Sequence, residues 1–149
     1  STTRQIIFSN FEYEANKLVN SGQPFVPKAL KELYLQILAK YEGWSSEKIE
    51  KYRKEPYSYS LSTILRIPHF YAGNFYVYKY AIGQICGLIM ANKIYKGDKK
   101  AAHNFIKFLS SGSSLSPLET IKLLEIDLTK EAPYKEVKQI LLSFIKKFK

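Results

Sequence analysis

A chain of 149 residues with 46% hydrophobic and 15% aromatic side chains is long enough for one domain with a real core, and too apolar for wholesale disorder. Its net charge of +10 raises nucleic acid, anionic membranes or acidic substrates as partners. Lysine far outnumbers arginine, whose planar fork reads bases and clamps phosphates, and the lysines are spread along the chain, so the charge is read as a solvated surface, with no nucleic acid and no membrane as partner.

Helical periodicity dominates from the start. The spacing predicts a first helix from about Thr3 to Asn20, with Ile7, Phe11, Ala15 and Leu18 on one apolar stripe and Ser21-Gly22 as its end. Pro27 opens a second helix to about Tyr41, with Leu30, Leu33, Ile37 and Leu38 facing inward. Glu42-Gly43-Trp44 breaks the pattern, and a short charged helix follows from Ser46 to Lys54. Residues from Pro56 to Gly73, rich in Tyr and Ser and interrupted by Pro68, read as an ordered loop, because proline disfavours helix at the residue before it.

The longest helix is expected from Asn74 to about Lys96. It is apolar nearly all round (Phe75, Val77, Ile82, Ile85, Leu88, Ile89, Ile94), which predicts burial on several sides, and Gly83 and Gly87 are spaced to let another helix approach closely. Its apolar run, Ala81 to Ala91, is far short of the ~20 residues a bilayer requires. Beyond Gly97-Asp98 a helix from Lys99 to Leu109 is predicted, with Ala102, Phe105, Ile106 and Leu109 inward. A Ser/Gly loop leads to Ser116-Pro117-Leu118-Glu119, a capping box with proline at the first helical position. The last helix, from about Pro133 to Phe148, carries an inward stripe of Val137, Ile140, Leu141, Phe144, Ile145 and Phe148. Lys146, Lys147 and Lys149 sit at its end, where cations complement the helix dipole. No alternating strand pattern stands out, so the expectation is an all-α chain, residues 1–149 forming a single helical domain of about six helices. A single cysteine, Cys86, allows no internal disulfide, and Ser1 to Gln5 lacks a signal-peptide pattern; both fit a reducing, cytoplasmic setting.

Chemistry-bearing motifs are few. His69 and His103 are the two histidines, and neither belongs to an H-E-x-x-H pair, so the chain carries no recognisable zinc site. There is no phosphate-binding G-x-x-x-x-G-K-[ST] loop and no G-x-S-x-G nucleophile turn; Ser111-Gly112-Ser113-Ser114 reads as a linker and His103 as a surface residue. What remains is His69 to Tyr80, where one histidine and four tyrosines fall within twelve residues. Tyr76 and Tyr80, one turn apart, share a face, and Tyr78 points roughly the other way. Such a segment either packs as an aromatic core or presents Tyr O–H and imidazole N–H donors to a developing oxyanion.

Arg66-Ile67-Pro68-His69-Phe70-Tyr71, followed by Asn74-Phe75-Tyr76-Val77-Tyr78-Lys79-Tyr80-Ala81-Ile82-Gly83, resembles the C-terminal signature of oligoendopeptidase F, of the thimet-type zinc oligopeptidases. Arg4-Gln5 with Phe8 and Phe11-Glu12 is similar to the family's preceding helix, and Phe108 to Ser113 with Pro117-Leu118-Glu119 to its later loop and helix, so the likeness runs along nearly the whole chain. Three departures stand out: Ala72-Gly73 in place of a single residue, Ser113 where a second glycine is common, and a longer stretch from Trp44 to Leu65.

The resemblance implies a mainly helical shell around a channel, with zinc ligands and a catalytic glutamate upstream of the region matched here. It implies that His69, Tyr78 and Tyr76 serve catalysis by stabilising the tetrahedral intermediate, and that Tyr71 and Tyr80 bind substrate. The chain is then a C-terminal fragment of a zinc metalloendopeptidase acting on oligopeptides, inactive alone, with zinc in the parent enzyme and the missing N-terminal part of the same chain as its partner. The competing expectation is a non-enzymatic basic helical module that binds a partner protein or anions; a family relative that has lost catalysis is a third.

Overall fold

The computed structural model describes residues 2–55, 59–72 and 75–147, and every regular element among them is an α-helix. In chain order these are α1 (Thr2–Asn20), α2 (Pro27–Glu42), α3 (Ser46–Lys54), α4 (Tyr59–Leu65), α5 (His69–Ala72), α6 (Tyr78–Tyr95), α7 (Lys99–Ser110), α8 (Pro117–Lys122) and α9 (Ala132–Lys147). The all-α expectation agrees with this. The higher helix count arises largely where a loop was expected. Pro68 does interrupt the helix, but its carbonyl accepts from the amides of Tyr71 and Ala72 and so starts α5, while α4 fills the stretch before it. The long helix expected from Asn74 starts only at Tyr78: Phe75, at φ 53°, cannot continue an α-helix, and Tyr76 and Val77 also precede α6. Asn74 itself, the Gly73 of the Ala72-Gly73 departure and the last stripe residue, Phe148, lie outside the described residues.

The chain divides into two compact units, residues 1–81 and 82–149, and the division falls within α6. In the first unit, Ile7, Phe8, Phe11 and Ala15 of α1 share one buried cluster with Tyr34, Leu35, Ile37 and Leu38 of α2, joined by Ile64 and Val77. Phe11 meets the Tyr34 ring edge-on at 5.4 Å. Burial pushes the Tyr34 phenol up to about 12. Gly43, in the left-handed region at φ 65°, ends α2. Arg53 then ties α3 back to α2, donating to both carboxylate oxygens of Glu32 at 2.9 and 2.5 Å. Lys31 adds bonds from its ammonium to the carbonyls of Arg53 and Glu55, satisfying the open end of α3.

The second unit is built on the inner face of α6. Ile85, Cys86, Ile89 and Met90 pack with Ala101 of α7, Leu124 and Ile126 of the α8–α9 connection, and Val137 and Ile140 of α9. The predicted capping box is present: the Ser116 hydroxyl accepts from the Glu119 amide, and the Glu119 carboxylate accepts from the Ser116 amide. The Ser116 hydroxyl also donates to the Glu119 carboxylate at 2.6 Å, and this bond first, with that from the Ser116 amide, holds the Glu119 carboxyl below the ordinary carboxylate range.

Several expected inward faces are instead open. Gly83 and Gly87 are exposed, and among the described residues no atom lies within 4 Å of where a β-carbon would stand at either and no close helix crossing uses them. Ala91 and Ile94 are exposed on α6, and Phe75 just before it. On α7, Ala101 rather than Ala102 is buried, while Ile106 and Leu109 are 64% and 63% exposed. Leu141, Phe144 and Ile145 of α9 are also exposed. The physical reason is the same throughout: an apolar stripe fixes which side chains share a face, not whether a neighbour covers it. No described helix is long and apolar enough to cross a membrane.

Candidate functional site

The His–Tyr segment is positioned by α1. Phe70, next to His69, packs edge-on against Phe8 at 5.7 Å and Phe11 at 5.4 Å, which seats the short helix α5 on the first unit's core. Val77, only 1% exposed, plugs the start of α6 into the same cluster. Between them Phe75 takes φ 53°, and its amide donates to Glu12 Oε1 at 2.6 Å. The backbone thus turns at Phe75, which belongs to neither α5 nor α6.

On this turn the structure brings together His69, Tyr76 and Tyr80. The Tyr80 hydroxyl lies 3.1 Å from His69 Nε2. The His69 ring centroid is 4.9 Å from that of Tyr76 and 5.7 Å from that of Tyr80, and the two tyrosine rings meet at 5.5 Å and 72°. Tyr76 lies just before α6 and Tyr80 in its first turn, and both rings meet the same imidazole. Lys79 places its ammonium 4.8 Å from the Tyr76 ring centroid. If Nε2 carries the imidazole proton it donates to the Tyr80 oxygen; if Nδ1 carries it, Nε2 accepts from Tyr80 and Nδ1–H becomes the outward donor.

Tyr78 and Tyr71 stand apart from this group. Tyr78 is the first residue of α6, exposed, and its hydroxyl has no hydrogen bond among the described residues. Tyr71 is exposed, with its hydroxyl 3.5 Å from the Ile64 carbonyl. All three tyrosines of the α6 start are about two-fifths exposed (Tyr76 40%, Tyr78 37%, Tyr80 41%), far from the burial of Tyr34 at 3%.

Among the described residues no three of His, Cys, Asp or Glu gather as a metal site requires. Cys86 is buried in the second unit's core, where desolvation pushes its thiol up, disfavouring the thiolate that a metal would need. The residues described here therefore do not fit a zinc centre. Sequence reasoning missed the role of Glu12, which is 6% exposed. The available signal was a carboxylate within an apolar stripe, flanked at helical spacing by Phe8, Phe11 and Ala15.

Residues 1–140 match the profile of peptidase family M3. The chain is 55% identical over 137 residues to an oligoendopeptidase F homolog of Mycoplasma genitalium, covering 91% of this chain and 23% of that protein. It is 48% identical over 147 residues to an oligoendopeptidase F homolog of Mycoplasma pneumoniae, covering 98% and 24%. It is 34% identical over 130 residues to the oligopeptidase PepF of Bacillus subtilis, covering 87% and 18%. The chain thus spans about a quarter or less of the length of these relatives. No solved structure matches it. With the helical fold and the Arg66 to Gly83 segment in place, the chain belongs to peptidase family M3, among its oligoendopeptidase F proteins.

Proposed function

We propose that this chain supplies the substrate-facing donor wall of an oligopeptide-cleaving metallopeptidase and is inactive by itself. The observation that carries this reading is the His69–Tyr76–Tyr80 group, its tyrosines exposed and its histidine half-buried, with His69 Nε2 3.1 Å from the Tyr80 hydroxyl and the Tyr78 hydroxyl, without a hydrogen bond among the described residues, at the start of the same helix. Rings placed there for packing alone would gain from full burial, and these tyrosines keep about two-fifths of their surface open.

In the proposed reaction water adds to the peptide carbonyl, its oxygen becomes an oxyanion, and the C–N bond then breaks with a proton passing to the leaving amine. His69 and Tyr78, with Tyr76 as the donor next to His69, donate hydrogen bonds to the carbonyl oxygen as it gains charge. Tyr80 orients the imidazole, and with Tyr71 it binds the substrate backbone. The zinc that family membership implies is assigned to the remainder of the protein, and no step here runs through it. The same remainder is the proposed partner for the open apolar faces of α7 and α9.

In the peptidase that carries this chain, His69→Ala and Tyr78→Phe are expected to lower kcat/KM by ~10²–10³ while shifting the melting temperature little, because such donors act mainly in the transition state. Tyr76→Phe belongs beside them as the alternative donor. Early melting with wild-type kcat/KM in His69→Ala and Tyr78→Phe would make the segment a packing element and end this reading. The chain alone, given zinc and a quenched fluorescent peptide, is expected to show no chelator-sensitive turnover.

A further inference from the structure

Helix α1 grips the site from both sides of its turn. Phe8 and Phe11 hold Phe70, the residue after His69. One residue further along α1, Glu12 accepts the amide of Phe75, the residue before Tyr76, at 2.6 Å. The histidine arm and the tyrosine arm are therefore both fastened to the same helical face, and the fastening on the tyrosine side is a charge-assisted hydrogen bond.

The bond is made where the backbone most needs it. Phe75 has φ 53°, in the left-handed region that a bulky aromatic residue rarely enters. A residue held there costs on the order of 1–3 kcal/mol and persists only where the surroundings over-determine it. Phe75 is itself exposed, so side-chain burial contributes little to that restraint. Its amide, fixed by Glu12 Oε1, is the restraint on hand.

Stability alone does not account for Glu12. The side chain is 6% exposed, and its second oxygen, Oε2, is buried with no hydrogen-bond partner among the described residues. Burying a carboxylate whose hydrogen-bonding capacity is only partly met is unfavourable, and a packed apolar residue on the same stripe would stabilise α1 more cheaply. We propose that Glu12 is the positioning residue of the His–Tyr cluster: by holding the Phe75 amide it sets the turn that lays Tyr76 and Tyr80 against His69. Its catalytic consequence rests on the function proposed above; the positioning itself does not.

Nuclear magnetic resonance on the chain reads the geometry directly. Glu12→Gln keeps a carbonyl acceptor in nearly the same shape but removes the charge. It is expected to preserve the cross-relaxation between the His69 ring protons and those of Tyr76 and Tyr80, while moving the Phe75 amide proton upfield. Glu12→Leu removes the acceptor, and is expected to lose those ring contacts while melting at or above the wild-type temperature. An unmoved Phe75 amide in Glu12→Gln, or intact ring contacts in a folded Glu12→Leu, would overturn the proposal. In the whole peptidase Glu12→Leu should lower kcat more than it changes KM, with Glu12→Gln restoring most of the loss. Lost ring contacts with unchanged kcat would leave the positioning standing and remove the catalytic reading instead.

Discussion

Within residues 1–81, the apolar stripes of α1 and α2 meet each other and close over Ile64 and Val77. Within residues 82–149, α6 buries one face against α7, α9 and the segment between α8 and α9, while Ile106, Leu109, Leu141, Phe144 and Ile145 stay open to solvent. Both units carry the same kind of sequence pattern. The difference is one of neighbours: in the first unit two long helices supply each other's cover, and in the second the helices offer more apolar surface than the unit itself can cover. The candidate site belongs to the first unit, seated on the covered stripe of α1, and a donor array needs such a rigid seat.

The comparison breaks most readily on truncations of aliphatic side chains. Leu35, fully buried in the first unit, should lose about 2–5 kcal/mol on Leu35→Ala, and Ile89→Ala in the second unit's own core should cost a similar amount. Leu109→Ala, on a face that periodicity alone would call inward, should change stability by no more than about 0.5 kcal/mol in this chain. Denaturant unfolding of the three variants decides it; a Leu109 loss equal to that of Leu35 would mean that the α7 face is covered after all.

Cys86 sharpens the picture of the second unit from inside. Burial both shields the thiol and pushes it up, so little thiolate forms near neutral pH. Alkylation by iodoacetamide should be many-fold slower in the folded chain than in denaturant. Equal rates in the two states would show that the inner face of α6 opens as readily as the outer one.

The smallest effect concerns the tie between α2 and α3. The Arg53 guanidinium beside Glu32 holds that carboxyl below its ordinary value. Because the folded state favours the charged form, the contribution is present above the unfolded carboxyl value and fades as the pH falls through the lower, folded one. The pair is partly exposed, so the expected gain is slight. Glu32→Gln should lower the melting temperature by a few degrees at neutral pH and leave it level with wild type in acid. A gap that persists unchanged at low pH would mean that Glu32 acts through packing rather than charge.

Much of the fold was legible before any coordinates. Pro27 and Gly43 mark the limits of α2, and Ser116 to Glu119 form the capping box that their order announces. The candidate segment was legible as well, since Tyr76 and Tyr80 share a face by spacing alone. That Tyr80 rather than Tyr78 reaches the imidazole was not, because the φ of Phe75 turns the chain between the two arms, and no local rule places a phenylalanine in the left-handed region.

The sequence by itself determined the limits of α2 and the start of α8, which side chains share a face, the M3 kinship and the lack of an H-E-x-x-H motif, because each depends on residues near one another along the chain. Only the tertiary structure decided that Glu12 reaches Phe75, sixty-three residues away, and that the stripes of α1 and α2 are covered while the faces of α7 and α9 are not. Those outcomes depend on which distant surfaces meet, and the free energy of a hydrogen bond or a buried face exists only once its partner has arrived.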